Sequence, residues 1–260
     1  MKVIDLCQLH IEILYLIYMK KRIFGFLILL FSVCISMLGQ TENVKVIKQV
    51  KSTFEDYITL LNMNGYEAFS FDISSLSDGQ YNITFKIKEY KDGKEIRDIL
   101  GGYSSYQNMD LLSEYPEEDQ KNTKPEEMAD PDRGIYHIAH KLMVGFTPIV
   151  NDSIRPILME VENMGSSNSC LQMLPQYAKN DSVNGKKLYM YFARPFKTGK
   201  FTTGRFIPLV LLGSAWYDKN IGFYRFCGEN DIDPDMSSEI LKHIPHYYVI
   251  GIETDLKKKL

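Results

Sequence analysis

Apolar and polar residues alternate with a period of two through long stretches of this chain. Phe69, Phe71 and Ile73 alternate with Ser70 and Asp72, and Ile83, Phe85 and Ile87 alternate with Thr84, Lys86 and Lys88. Successive strand side chains point to opposite faces, so each such stretch buries one face and wets the other. Lys91-Asp92-Gly93-Lys94 carries turn chemistry and leads into residues 96–100. Residues 135–147, 154–162, 187–193, 206–212, 222–227 and 247–254 also read as extended. Turn clusters such as Asn163-Met164-Gly165, Asn184-Gly185 and Asp218-Lys219-Asn220 separate them. Residues 206–212 are apolar on both faces, as in a central strand, although Pro208 predicts a bulge or an edge position. The fold class that follows is mainly β: a β-sandwich, immunoglobulin-like or jelly-roll-like, with one or two short helices.

Three segments are read less directly. Phe54, Ile58 and Leu61 have helical spacing, with Ser52 and Glu55 placed as a capping box, but Asn64-Gly65 between two apolar runs favours a hairpin over 58–73. Leu76, Gly79 and Tyr81 match the spacing of a sandwich corner, in which the tyrosine hydroxyl ties back to the backbone. Asp233 as a cap, Pro234 at the first position and Pro245 as a stop predict a helix that turns Ile240 and Leu241 inward. Residues 101–134, rich in Ser, Asn, Pro and acids, read as a polar insertion.

The basic run Met19-Lys20-Lys21-Arg22 precedes sixteen almost wholly apolar residues, 23–38, and then Gly39-Gln40-Thr41. This is the layout of a secretory signal, and it is shorter than the roughly 20 residues that span a bilayer. It predicts an exported protein, periplasmic, cell-surface or secreted, cleaved after Gly39 or Ser36. Membrane contact is then expected only through an uncleaved signal or a lipid on Cys34. Residues 1–18 fit a mis-assigned start or a leader, 19–39 the signal, and 40–260 a single β-rich domain. From residue 40 onward 26 basic and 31 acidic side chains remain. A mildly acidic domain without a basic stripe argues against nucleic acid as a partner. Cys170 and Cys227 are the two cysteines of that stretch, and in an oxidising compartment they are a candidate disulfide.

The signal ending in Gly39-Gln40, the 76–81 corner and the Lys/Tyr-rich strands together resemble exported proteins of uncharacterised function from Bacteroides-type bacteria. The resemblance covers the signal and residues 54–100. It implies a compartment but no activity, cofactor or site residue.

Motifs for chemistry are weak. His137/His140 and His243/His246 are His-x-x-His pairs, but a spacing of three on a strand sends the rings to opposite faces. Asp231, Asp233 and Asp235 open like a calcium loop, yet Met236 stands where that loop needs Gly and Lys242 where it needs Glu. Glu160 and Glu162 share a strand face, as a sugar-cleaving carboxylate pair would. No Gly-x-Ser-x-Gly elbow or phosphate loop occurs, and no catalytic residue, metal ligand or cofactor is assigned. Aromatic residues offer the other route: Tyr189 and Tyr191 on one strand face, with Trp216 and Tyr217 near a strand end, are the candidate ligand-binding residues. The expected function is an exported, non-enzymatic sandwich that binds a glycan or an envelope protein, or joins a surface assembly. The alternative is an exported hydrolase, possibly metal-dependent, built on the His pairs or Glu160 and Glu162.

Overall fold

The computed structural model describes residues 18–21, 53–100, 104–151, 153–175, 189–199, 202–226 and 228–260. The apolar run at 23–38, both proposed cleavage points and Cys227 lie outside these residues. The chain divides into two compact units, 1–52 and 53–260. The second is the β domain.

Two antiparallel sheets make a β-sandwich. One has the order β1 (Glu67–Asp72), β7 (Lys141–Phe146), β8 (Ile154–Val161), β9 (Gly165–Gln172). The other runs β10 (Tyr191–Pro195), β11 (Ile207–Ser214), β14 (His246–Lys259), β2 (Gly79–Lys91), β3 (Lys94–Asp98), and β4 (Ser105–Gln107) also pairs with β2. Two short ribbons join β5 (Met109–Leu111) to β6 (Ile135–Ile138) and β12 (Trp216–Asp218) to β13 (Phe223–Arg225).

The alternation read from the sequence decides which face is inward. Ile83, Phe85 and Ile87 of β2 and Tyr248 and Ile250 of β14 are fully buried against Val144 of β7 and Met159 and Val161 of β8. Each such side chain contributes about 1.5–3 kcal/mol by leaving water. A second cluster, including Leu211, Val249, Ile240 and Ile244, covers the other face of the larger sheet. That explains why β11 is apolar on both sides. Its register slips between Pro208 and Val210, the bulge that proline in an interior strand requires.

Several local expectations are corrected. Residues Phe54–Met63 form a helix, α1, not the first strand of a hairpin. Asn64-Gly65 ends it: Gly65 has φ +82°, the Tyr66 N–H donates to the Leu61 carbonyl at 3.0 Å, and the Gly65 N–H donates to that of Asn62 at 2.9 Å. This is a Schellman cap, which needs the same left-handed glycine as a hairpin turn does. The Asp92-Gly93 pair does form a hairpin turn, both residues having positive φ.

The Tyr81 hydroxyl donates to Asp78 Oδ1 at 3.0 Å, a side chain rather than backbone. The corner's backbone is tied instead by Asn108. Between Asp233 and Pro245 only a 3-10 turn, Glu239–Lys242, forms, although Ile240 and Leu241 do face inward. Met236, at φ +63°, prevents a longer helix. The polar stretch after residue 103 supplies β4, β5 and helix α2 (Glu117–Asn122), whose first turn gathers Glu117, Glu118 and Asp119 at its positive end.

Gly251 of β14 pairs with Pro208 of β11 at the bulge, where an added Cβ would strike the Ile207 carbonyl and the Phe206 ring. Gly251→Ala is therefore expected to lose about 1–3 kcal/mol of stability, read as a lower denaturant midpoint with an unchanged slope.

Candidate functional site

At one end of the larger sheet the inward positions stop being apolar. The phase that puts Ile83, Phe85 and Ile87 in the core puts Glu89 there too, and Glu89 is 5% exposed. Pairing sets Glu89 opposite both Tyr248 and Arg97, and Tyr191 opposite Ser214. The register that places Gly213 against Tyr247 then brings Ser214 beside His246. A polar row, Tyr191, Ser214, His246, Tyr248, Glu89 and Arg97, thus crosses five strands from edge to edge.

Most of this row is hydrogen-bonded to itself. His246 Nε2 lies 2.8 Å from Glu89 Oε1, and Nδ1 lies 2.5 Å from Tyr191 Oη. A carboxylate only accepts, so Nε2 carries the proton and Nδ1 accepts from the Tyr191 hydroxyl. Tyr191 Oη also accepts the Leu174 N–H at 2.9 Å. Tyr248 Oη donates to the Gln172 carbonyl at 2.6 Å, and Arg97 Nε forms an ion pair with Glu89 Oε2. The row therefore also anchors the strand end at 172–174.

Burial lowers the His246 imidazole below its ordinary value, outweighing the Glu89 carboxylate beside it. Burial acts to raise Glu89, but hydrogen bonds from His246 and Arg97 outweigh it, and its carboxyl lies below the ordinary value. The pair is thus a neutral imidazole beside an ionised carboxylate. Tyr191 and Tyr248 are pushed far up, chiefly by burial.

Above the row is a cavity of about 250 Å³ lined by Ser214, His246, Lys91 and Asp92 and by the aromatic residues Trp216, Tyr217 and Tyr224. The β12–β13 ribbon brings these rings together: Tyr217 and Tyr224 face each other across it in a T-shaped contact at 5.5 Å. Trp216 is stacked on His243 at 5.8 Å, with the Arg225 guanidinium over its ring. Tyr217 is 40% exposed. Ser214 is 3% exposed, and its hydroxyl has no partner among the described residues. A buried hydroxyl left unpaired is costly unless something fills the space beside it.

The four candidate ligand-binding residues thus divide. Trp216 and Tyr217 line the cavity. Tyr189 and Tyr191 share one strand face, and that face is turned to the inter-sheet core. On the opposite side of that strand Phe192 stacks on Phe226 at 4.7 Å. The histidines are dispersed: His137 pairs with Asp110 at 3.5 Å, His140 lies 3.4 Å from Ser74 Oγ, and His243 is on Trp216.

Among the described residues no three His, Cys, Asp or Glu side chains are grouped closely enough to share a metal ion. Glu162 accepts the His140 N–H at 3.1 Å, and Asp233 is paired with Lys197. Cys170 is exposed on β9, and its pairing with Cys227 falls outside the described residues. No helix among the described residues is long and apolar enough to cross a membrane.

Sequence reasoning missed Glu89 and Ser214. The signal for Glu89 was present, since a charge falls where the β2 alternation calls for a core residue. For Ser214 there was none, because its burial depends on the neighbouring strands.

The molecule is thus defined as a two-sheet β-sandwich with a polar row at one end of its core and an aromatic-rimmed cavity above it. The chain belongs to a family of unknown function, DUF5041, whose profile matches residues 36–255. No curated protein and no solved structure matches it.

Proposed function

We propose that this chain is a non-enzymatic binding module, acting outside the cytoplasm, that holds a sugar ring of a glycan in the cavity beneath the β12–β13 ribbon. One observation carries the reading: the cavity is lined by Trp216, Tyr217 and Tyr224 together with the buried Ser214 hydroxyl, which has no partner among the described residues. Sugars present apolar C–H faces that stack on aromatic rings and hydroxyls that need fixed partners. A cavity of about 250 Å³ takes a small ring rather than a drug-sized molecule.

The binding role is favoured over hydrolysis because both His246 nitrogens are engaged in the interior, at Tyr191 and Glu89. Neither is left to move a proton on a bound ligand.

A glycan screen on the full chain tests this. A ligand found there is expected to bind Tyr217→Ala and Ser214→Ala about tenfold more weakly, with melting temperatures close to the parent's. Release of shortened glycan on prolonged incubation would favour the hydrolase, and undiminished binding by both variants would move the site elsewhere.

A further inference from the structure

A second cavity, of about 330 Å³, is lined by residues of β1 and β11 and by Lys197, Thr198, Thr202 and Arg205. Its floor is the inter-sheet core itself: Phe71, Ile73, Leu142, Leu209 and Ile252, each no more than 9% exposed, line it. A sandwich whose interior is reached from outside at an edge exposes apolar surface that water solvates poorly.

Three charged residues line the mouth. Lys197 is bound to Asp233 at 2.5 Å, and Asp72 accepts the Ser74 N–H at 2.7 Å through Oδ1. Arg205 alone of the three has no partner among the described residues. Its guanidinium offers a planar fork of donors that matches a carboxylate.

We propose that this cleft is a binding site for a free aliphatic carboxylate, with the chain laid over the five core side chains and the head group held by Arg205. The proposal is independent of the sugar site, which lies on other residues. An apolar chain supplies what the floor lacks, and a single negative charge supplies what Arg205 lacks. A neutral chain would leave the guanidinium unpaired, and a bare anion would leave the apolar cavity unfilled.

Titration of dansyl-undecanoic acid into the full chain, followed by fluorescence, tests the site directly. Saturable binding of one equivalent is expected, displaced by decanoate at about tenfold lower concentration than by decanol. Arg205→Gln is expected to abolish that preference for the acid over the alcohol, and Arg205→Lys to keep part of it. Thr198 lines the mouth and is exposed. Thr198→Trp is therefore expected to block the probe while the melting temperature holds. Tyr217→Ala, altered at the other cavity, should bind the probe like the parent, so the two sites fail or succeed separately. Absence of saturable binding, equal displacement by acid and alcohol, or an Arg205→Gln protein indistinguishable from the parent would each overturn the assignment.

Discussion

Asn108→Ala is expected to cost about 3–5 kcal/mol, one of the largest effects of any single polar substitution in the domain. The Asn108 side chain is 1% exposed and makes three hydrogen bonds. Its Oδ1 accepts the Tyr81 N–H at 2.7 Å, and its Nδ2 donates to the carbonyls of Leu76 at 2.7 Å and Gly79 at 3.1 Å. Backbone bonds from Asn108 N to Tyr81 and from Ala139 N to Asn108 lock the same point from both sides. Truncation leaves one donor and two acceptors buried without partners, and each carries a desolvation penalty of about 1–3 kcal/mol.

The corner at residues 76–81 feeds the long strand β2, so its loss loosens the centre of the larger sheet. Thermal or denaturant unfolding reads the effect, expected as a fall of roughly 10 °C in melting temperature. A loss below about 1 kcal/mol would mean that water replaces the amide there. Asn108→Asp is a sharper probe. It keeps the acceptor but turns a negative oxygen toward two carbonyls, so it should be no milder than Ala at neutral pH.

The second large effect belongs to the His246–Glu89 pair. Glu89→Ala removes the common partner of His246 and Arg97 and leaves the buried His246 Nε2–H without an acceptor, a loss expected at about 1–3 kcal/mol. The same pair sets a pH dependence whose sign follows from its neutral imidazole. His246 in the folded protein binds its proton below the ordinary imidazole value of 6.5. The unfolded chain therefore takes up that proton first, and stability is fully present above 6.5 and lost as pH falls below it. The Glu89 carboxyl lies below 4.5, so its own contribution persists until the pH drops past that value. The charged neighbours that bear on His246 are Glu89, Lys91 and Arg97.

Guanidinium midpoints measured at about pH 7.5 and about pH 5.5 should show the parent weaker at the lower value. His246→Gln should flatten this interval while lowering stability throughout. A parent whose midpoint rises on acidification would contradict the neutral imidazole.

The parts of the fold legible in the sequence were those fixed by local periodicity. The β2 alternation, the Asp92-Gly93 turn and the two-faced apolar β11 each depend on nearest neighbours along the chain. Asn64-Gly65 misled for an equally local reason, since a left-handed glycine serves a Schellman cap and a hairpin alike. The serine-rich β9, GSSNSCLQ, gave no apolar signal because it is an edge strand with one buried side chain, Leu171. Its place is decided by pairing with β8 along its whole length. Of the candidate site, the aromatic pair Trp216 and Tyr217 was legible as side chains near a strand end, whereas the contact of Tyr191 with His246 depends on the order of the neighbouring strands.

By itself the sequence determined a mainly β chain, which residues on each long strand turn inward, and where several of the turns fall. Those properties arise from the two-residue period of a strand and the few residues that tolerate positive φ. Only the tertiary structure decided that Glu89, Tyr191, Ser214 and His246 share one row and that β12 and β13 roof it. Ser214 and His246 are 32 positions apart, and Glu89 and His246 are 157. No local rule fixes contacts of that separation: they follow from strand order and register across the whole sheet, which are settled only when every core face is buried at once.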